Sequence, residues 1–527
     1  MLLRIQSFKQ AAFWSTGINA FNQVLSLGFS VLMAGFFGAQ SGTDVLYYSM
    51  GIFTLISQMI QGANLSVLVP ETMRRRHQVT ERDAMAFINR FLVWIALGVL
   101  GLTALLLWKP IPILLRISSF PRETLLENQT LLYWLLASFP LQVLAQILLD
   151  ILVSYKFLSL PAMLSCVNKV VNLIFVVCFH RRFGITSVAM GMVTGFAFQV
   201  LLNSCLLRKV VGTALFSWRT KIGARTWQNI GWVGISRTVS TLASYVPLYL
   251  FSGFNAGMLT AMNYARRMSG MPMDLLTTQV SSVTGVKFNE QMAKRQFTEM
   301  YASCERILRV LLFVLTPLVV WLALSGYSLV SILFGHGKFQ GAAVANTSLL
   351  FSLFVLRLPL VTIMLITARL LAANQAIRYG TFWNIFSAAL NIGLLFAVVH
   401  VCGPVGVPVA LFFHMLIYML CLSISMSLRF EGLNLWAVWR SLFSVAGLCA
   451  LAGIPAFFLE RHASVHLPGW SLFPLVSLVF WCVFSFLVYC FHPDRMALAY
   501  WIRLLQTVWR KGWGRLGLIF AGRGSRR

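Results

Sequence analysis

The sequence predicts an all-α polytopic membrane protein of about fourteen transmembrane helices with both termini on the cytoplasmic side. Three observations point there. Of the 527 residues, 58% are hydrophobic and only 11% charged, with a mean hydropathy of +0.79, more apolar than soluble domains are. Apolar runs of about 20 residues, enough to cross a bilayer core, recur from Ala12 to His492. The basic residues fall mainly in alternate loops, as the positive-inside rule requires.

The first six runs start near Ala12, Val45, Phe87, Leu131, Leu160 and Gly184. The first follows Arg4 and Lys9 and has no small-residue cleavage site behind a short apolar core, so it is expected to be retained. The second opens at Asp44, an acid placed either to cap its helix or to act at a gate. The third follows the basic stretch "RRRHQVTERD" and the fourth follows the longest outside segment, Lys109 to Thr130. The next runs start near Ile230, Ala256, Ile307, Ala343, Gly380 and Gly403, behind loops that include "LLRKVVGTALFSWRTKIGAR" and "KFNEQMAKRQ". The last two start near Trp436 and Trp470.

With an even count and an inside N-terminus, 29 of the 42 Lys and Arg lie inside, 7 outside and 6 within spans. The formal charge of +28 therefore tracks membrane topology, and nucleic acid is not expected as a partner. Nine scattered cysteines without a C-x-x-C or a Cys/His cluster indicate neither a disulfide framework nor a metal site. No Gly-rich phosphate loop of the Walker type is present. No cofactor is expected, and any transport must be driven by an ion gradient, the membrane potential or another protein.

The chain repeats itself weakly. Gly38 in "VLMAGFFGAQSGTDVLYYSM" matches Gly253 in "VPLYLFSGFNAGMLTAMNYA" at an offset of 215. "FGITSVAMG" matches "CGPVGVPVA", and "NLIF" matches "NIGLLF", at an offset of 219. Six helices per repeat keep the copies in one membrane orientation, which predicts lobes at 1–210 and 211–430, two further helices at 431–492 and a basic amphipathic cytoplasmic tail at 493–527. A substrate site between lobes and alternating access by rocking follow from that plan.

Six cations lie within spans: Lys169, Arg237, Arg266, Arg267, Arg357 and Arg369. Only Asp150 and Asp274 oppose them there. A charge near mid-bilayer costs upward of ~2.5 kcal/mol, so it should face protein or water. Arg266 and Arg267 are about ten residues into the eighth span, near mid-bilayer. Asp274 follows Arg267 by one heptad, which returns it to the same helical face, and Gly270 and Pro272 let the helix bend between them. The cationic surplus is suited to an anion in a wet cavity, and a phosphate or diphosphate matches the planar fork of arginine. Arg266 and Arg267 are thus the candidate diphosphate ligands, with Gln23, Asp44, Asn64, Lys169, Arg237, Asn263, Asp274 and Arg357 as candidate cavity lining.

Five fragments then resemble a known family in order and spacing: "FNQVLSLGFSVLMAGFFGAQSGTDVLYYSM", "QGANLSVLVP", "YKFLSLPA", "MNYARRMSGMP" and "LFGHGKF". They resemble the MurJ (MviN) lipid II flippases of the multidrug/oligosaccharidyl-lipid/polysaccharide exporter superfamily, from about Phe21 to Phe430. The resemblance implies a multi-pass protein of the bacterial inner membrane with a cationic cavity between two lobes. It also implies a groove for a polyprenyl tail on the last two helices, and movement of a polyprenyl-diphosphate-linked saccharide to the periplasmic leaflet. Arg267 falls on the family's functional arginine of the eighth span and Asp44 on the aspartate of its "TD" motif. Three other cavity arginines of the family fall on Gln23, Phe29 and near Ser57.

Those replacements favour an exopolysaccharide or O-antigen-type unit over lipid II as the expected substrate, with lipid II transport as the alternative. Gln23, Asn64 and Asn263 are expected to touch the sugar. A drug-cation exporter is disfavoured because an arginine-rich cavity repels cations. An enzyme acting on lipid-linked sugars would need acid and base groups outside the membrane. The longest outside segment has Glu123 and Glu127 but no histidine, so no enzyme is expected. The remaining class is a non-transporting scaffold that recruits polysaccharide-assembly proteins. The tail "YWIRLLQTVWRKGWGRLGLIFAGRGSRR" instead reads as an interfacial helix on anionic membrane lipids.

Overall fold

The computed structural model describes residues 8–63, 71–72, 75, 80–154, 160–211, 224–374, 376–463, 469–491, 494 and 498–499. Among them the regular structure is helical. In chain order the helices are α1 Phe8–Phe37, α2 Ser41–Ala63, α3 Glu81–Trp108, α4 Pro110–Ile117, α5 Arg122–Glu127, α6 Gln129–Ser154, α7 Leu160–Phe183, α8 Thr186–Val211, α9 Ala224–Ser252 and α10 Met258–Pro272. After a π-helical turn at Met273–Thr277 come α11 Thr278–Ala293, α12 Phe297–Leu324, α13 Gly326–Phe334, α14 Ala342–Leu356, α15 Leu358–Ala373, α16 Ile377–Cys402, α17 Gly406–Arg429, α18 Leu435–Ala463 and α19 Gly469–Phe491.

The apolar runs read from the sequence fall on these helices, the tenth of them on two, α14 and α15. Among the described residues, nine stretches are long and apolar enough to cross a membrane, one of them Tyr379–Arg429, which holds both α16 and α17. The count rises to ten if α14 and α15, bent by 40°, form one span. The helices that fall short, α2, α9 and α10, carry Gln, Asn and Arg within their apolar runs.

The chain forms two compact units interleaved in sequence. One comprises 1–271, 333–350 and 381–410, and the other 272–332, 351–380 and 411–527. In the first unit α6 packs on α8, α3 and α2, α7 packs on α8 and α1, and α2 packs on α9. Small residues make the closest approaches. A side chain on Gly51 would lie 2.8 Å from Leu248 of α9, and one on Gly195 would lie 3.0 Å from the carbonyl oxygen of Asn168 on α7.

In the second unit α12, α18 and α19 share a core of Phe313, Val445, Leu448, Cys449, Leu472, Val476, Phe480 and Phe484. Arg309 of α12 donates to both carboxylate oxygens of Asp494 at 2.8 Å, and the Ser441 hydroxyl donates to the same carboxylate at 2.7 Å. This pairing ties the residue beyond α19 to α12 and α18. In the same unit Arg369 of α15 donates to the Ser281 hydroxyl of α11 at 3.1 Å while its aliphatic stem lies over Gly285. Arg369 therefore bridges two helices.

The segment from Asn263 to Thr277 leaves regular α-helix after Pro272. Pro272 has no N–H to return to the preceding turn, and the α-helix gives way to a π-helical turn at Met273. Asp274 stands inside that turn, so the heptad count from Arg267 passes out of regular α-helix. The tenth run also breaks. Arg357 is the N-cap residue between α14 and α15, Pro359 follows at the start of the next helix, and the Arg357 guanidinium lies 5.6 Å from the Phe354 ring.

Candidate functional site

Helix α10 carries the two arginines, and its surroundings explain how they are presented. Leu259, Thr260, Ala261, Met262, Tyr264, Ala265, Met268 and Ser269 are buried. Tyr264 stacks on Phe334 at 5.0 Å and meets Phe339 edge-on at 5.4 Å. Tyr47 of α2 meets Tyr264 edge-on at 5.6 Å. With the apolar face held by these rings, Arg266 and Arg267 fall on the remaining face and both side chains are exposed.

The N-terminus of α10 is capped by another helix. Asp44 of α2 is 3% exposed. Its Oδ2 accepts the Gly257 N–H at 2.6 Å, and its Oδ1 accepts the Thr260 N–H at 2.8 Å and the Thr260 hydroxyl at 2.6 Å. The expectation that Asp44 lines a cavity is thereby corrected: its carboxylate is consumed by backbone donors that a helix start leaves unpaired. It caps α10 and not its own helix, where Thr43 accepts the Gln40 N–H at 2.8 Å. Gly257 permits the approach with a φ of 90°, since a side chain there would lie 2.8 Å from the Ala39 carbonyl oxygen.

The fragments "FFGAQSGTD" and "LFGHGKF" prove to be two loops that interlock beside this cap. The Lys338 N–H donates to the Gly35 carbonyl at 3.0 Å. Gly337, at a φ of 61°, passes so close that a side chain would lie 2.3 Å from the same oxygen. The loop in turn delivers Phe334 and Phe339, both fully buried, to Tyr264.

Arg266 and Arg267 line a cavity of about 460 Å³ with Asn263 of the same helix, Tyr47, Thr54 and Gln58 of α2, Ser30 of α1 and Ser244 of α9. Among the described residues no carboxylate lines it, and neither arginine has an acid within ion-pairing distance. Two guanidinium groups in such a space can hold a doubly charged phosphate or diphosphate through paired, charge-assisted hydrogen bonds.

A second cavity of about 550 Å³ lies among α1, α6, α7 and α8 and shares Met50 and Arg267 with the first. Lys169 lines it, and its ammonium donates to Asn22 Oδ1 at 2.7 Å and to the Ser26 hydroxyl. Phe29, one of the positions where the resemblance places a cavity arginine, also lines this cavity.

Of the candidate residues, the structure brings together Arg266, Arg267 and Asn263 in one cavity and Lys169 with Arg267 in the next. Gln23, Asp274 and Arg357 lie outside both linings. Asp274 and Arg357 belong to the second compact unit, whereas both linings are drawn from the first. Asn64 and the side chain of Arg237 lie outside the described residues. Sequence reasoning missed the carboxamides Asn19, Asn22, Gln142, Gln146, Asn168, Asn172 and Gln199, which line the second cavity. For six of the seven the signal was their spacing, as i,i+3 or i,i+4 pairs inside apolar runs.

The model of the family described as lipid II flippase MurJ matches residues 33–480. A probable lipid II flippase MurJ of Buchnera aphidicola subsp. Acyrthosiphon pisum is 24% identical over 376 residues, covering 69% of this chain and 73% of that protein. One of Borreliella burgdorferi is 22% identical over 347 residues, covering 64% and 67%. A solved structure of lipid II flippase MurJ in an inward closed conformation superposes with a TM-score of 0.75 at 19% identity, over 92% of this chain and 99% of that one. An inward-facing multidrug resistance MATE family transporter of the MOP superfamily superposes with a TM-score of 0.62 at 14% identity, over 82% and 98%. At these identities the structures establish a common fold.

Proposed function

The chain belongs to the lipid II flippase MurJ family, and from that membership and the arginine cavity we propose that it carries a polyprenyl-diphosphate-linked saccharide across the inner membrane by alternating access. Membership places it among multi-pass inner-membrane transporters and not among enzymes. The observation that supports a diphosphate ligand is the cavity lined by Arg266 and Arg267 and, among the described residues, by no carboxylate.

Lipid II stands ahead of an exopolysaccharide or O-antigen-type unit as the substrate. The family model and both curated relatives carry lipid II in their descriptions, whereas the other reading rests on the family arginines whose places fall on Gln23, on Phe29 and near Ser57. The cations that remain, Arg266, Arg267 and Lys169, line two adjoining cavities. In this reading the arginines hold the diphosphate, the headgroup crosses inside the protein and the prenyl tail stays in lipid.

The test is depletion of the protein in its own host, followed by identification of the lipid-linked saccharide that accumulates in the inner leaflet. Lipid II is the expected product. Accumulation of a different polyprenyl-linked oligosaccharide would move the substrate to polysaccharide export, and no accumulation of any lipid-linked saccharide would overturn the transport reading.

A further inference from the structure

We infer that the carboxamide-lined cavity among α1, α6, α7 and α8 is a carbohydrate subsite that receives a sugar ring of the substrate whose diphosphate rests on Arg267. The inference rests on the diphosphate reading above and adds to it a recognition site for the sugar.

The cavity is lined by Asn19 and Asn22 from α1, Gln142 and Gln146 from α6, Asn168 and Asn172 from α7, and Gln199 from α8. Amides between membrane helices commonly serve as packing glue, and four of the seven are already bonded to protein groups. Asn168 donates to Gln199 at 2.8 Å, Asn22 accepts from Lys169 at 2.7 Å, and Gln146 donates to Asp150 at 3.0 Å. Asn19, Gln142 and Asn172 make no side-chain hydrogen bond among the described residues, and the Asn172 Oδ1 is buried without a partner. Glue would close the gap between helices, yet about 550 Å³ remains open here, within the range of small-molecule sites.

The lining chemistry selects the ligand class. A carboxamide offers a donor and an acceptor side by side, which matches hydroxyl and acylamino groups on a sugar ring. Phe29 and Phe196 supply apolar surface for the faces of such a ring. Among the described residues no carboxylate lines the cavity, and Lys169 and Arg267 disfavour a cationic ligand there. Arg267 lines both cavities, so a phosphate held by it sits at the mouth of the amide-lined space. That is the connectivity of a sugar attached directly to a diphosphate.

The experiment measures binding of two probes, undecaprenyl diphosphate and lipid II, to the full chain in lipid nanodiscs. The wild type should bind lipid II at least about tenfold more tightly. The double variant Gln142→Ala/Asn172→Ala should lose about tenfold toward lipid II while its affinity for the sugar-free probe is kept. Asn19→Ala, at an exposed position on α1, should show the same selective loss to a smaller degree, which serves if the double variant does not fold. Equal loss for both probes, no loss, or a wild type that does not discriminate between them would overturn the subsite. Arg267→Ala should weaken both probes. If it leaves undecaprenyl diphosphate binding intact while the amide variants still lose lipid II selectively, the diphosphate assignment fails and the carbohydrate subsite stands.

Discussion

The carboxylate of Asp44 accepts the backbone N–H of Thr260 at 2.8 Å and its hydroxyl at 2.6 Å, joining α2 to the start of the helix that bears the arginines. A cap supplied from another helix fixes the entry of α10 as well as satisfying it. Asp44→Asn keeps the shape but replaces one acceptor oxygen by a donor, leaving a buried N–H of Gly257 or Thr260 unpaired. The expected loss is about 1–3 kcal/mol, read as a lower midpoint of thermal unfolding in detergent. An unchanged midpoint would mean that the cap contributes nothing to stability.

Arginine geometry, and not charge alone, should matter in the cavity. Arg267→Lys keeps the cation and loses the planar fork. Complementation of the depleted host should therefore rank wild type above Arg267→Lys and Arg267→Lys above Arg267→Ala, at equal membrane levels. Equal rescue by lysine would point to simple charge attraction.

Asp494 should be a stability residue with no part in substrate binding. Its carboxylate, 1% exposed, receives two bonds from Arg309. Asp494→Ala leaves that guanidinium with Glu305, 3.1 Å away, but without its two bonds to Asp494, at a cost of about 1–3 kcal/mol. The unfolding midpoint should fall while affinity for undecaprenyl diphosphate is retained in the folded fraction.

Two glycines with similar backbone angles separate strain from crowding. Gly337 and Gly341 have φ of 61° and 56°, but a side chain on Gly337 would meet the Gly35 carbonyl at 2.3 Å whereas Gly341 faces open space. Gly341→Ala should cost about 1–2 kcal/mol, the penalty of a left-handed residue. Gly337→Ala should cost clearly more because the interlocked loops must part, which paired thermal melts will reveal.

Much of the fold was legible before any coordinates. Each predicted apolar run meets a helix, because a bilayer admits few other ways of satisfying the backbone. What escaped were the local departures. The short helices α4, α5 and α13 lie in segments too brief to carry a period, the break at Arg357 falls inside an unbroken apolar run, and the π-helical turn after Pro272 changes which face Asp274 occupies.

The membrane class, the family motifs and the placing of Arg266 and Arg267 inside an apolar run were legible in the residues alone, because a charge within such a run is costly wherever the chain goes. Only the tertiary structure decided which neutral groups join them. An amide pair on one helix reads equally as glue or as ligand, and Asn19, Gln142, Asn172 and Gln199 share a cavity only once α1, α6, α7 and α8 have packed. Asp44 likewise finds Thr260 across 216 residues of chain. Its role depends on which helix end is brought to it, and packing, not local sequence, makes that choice.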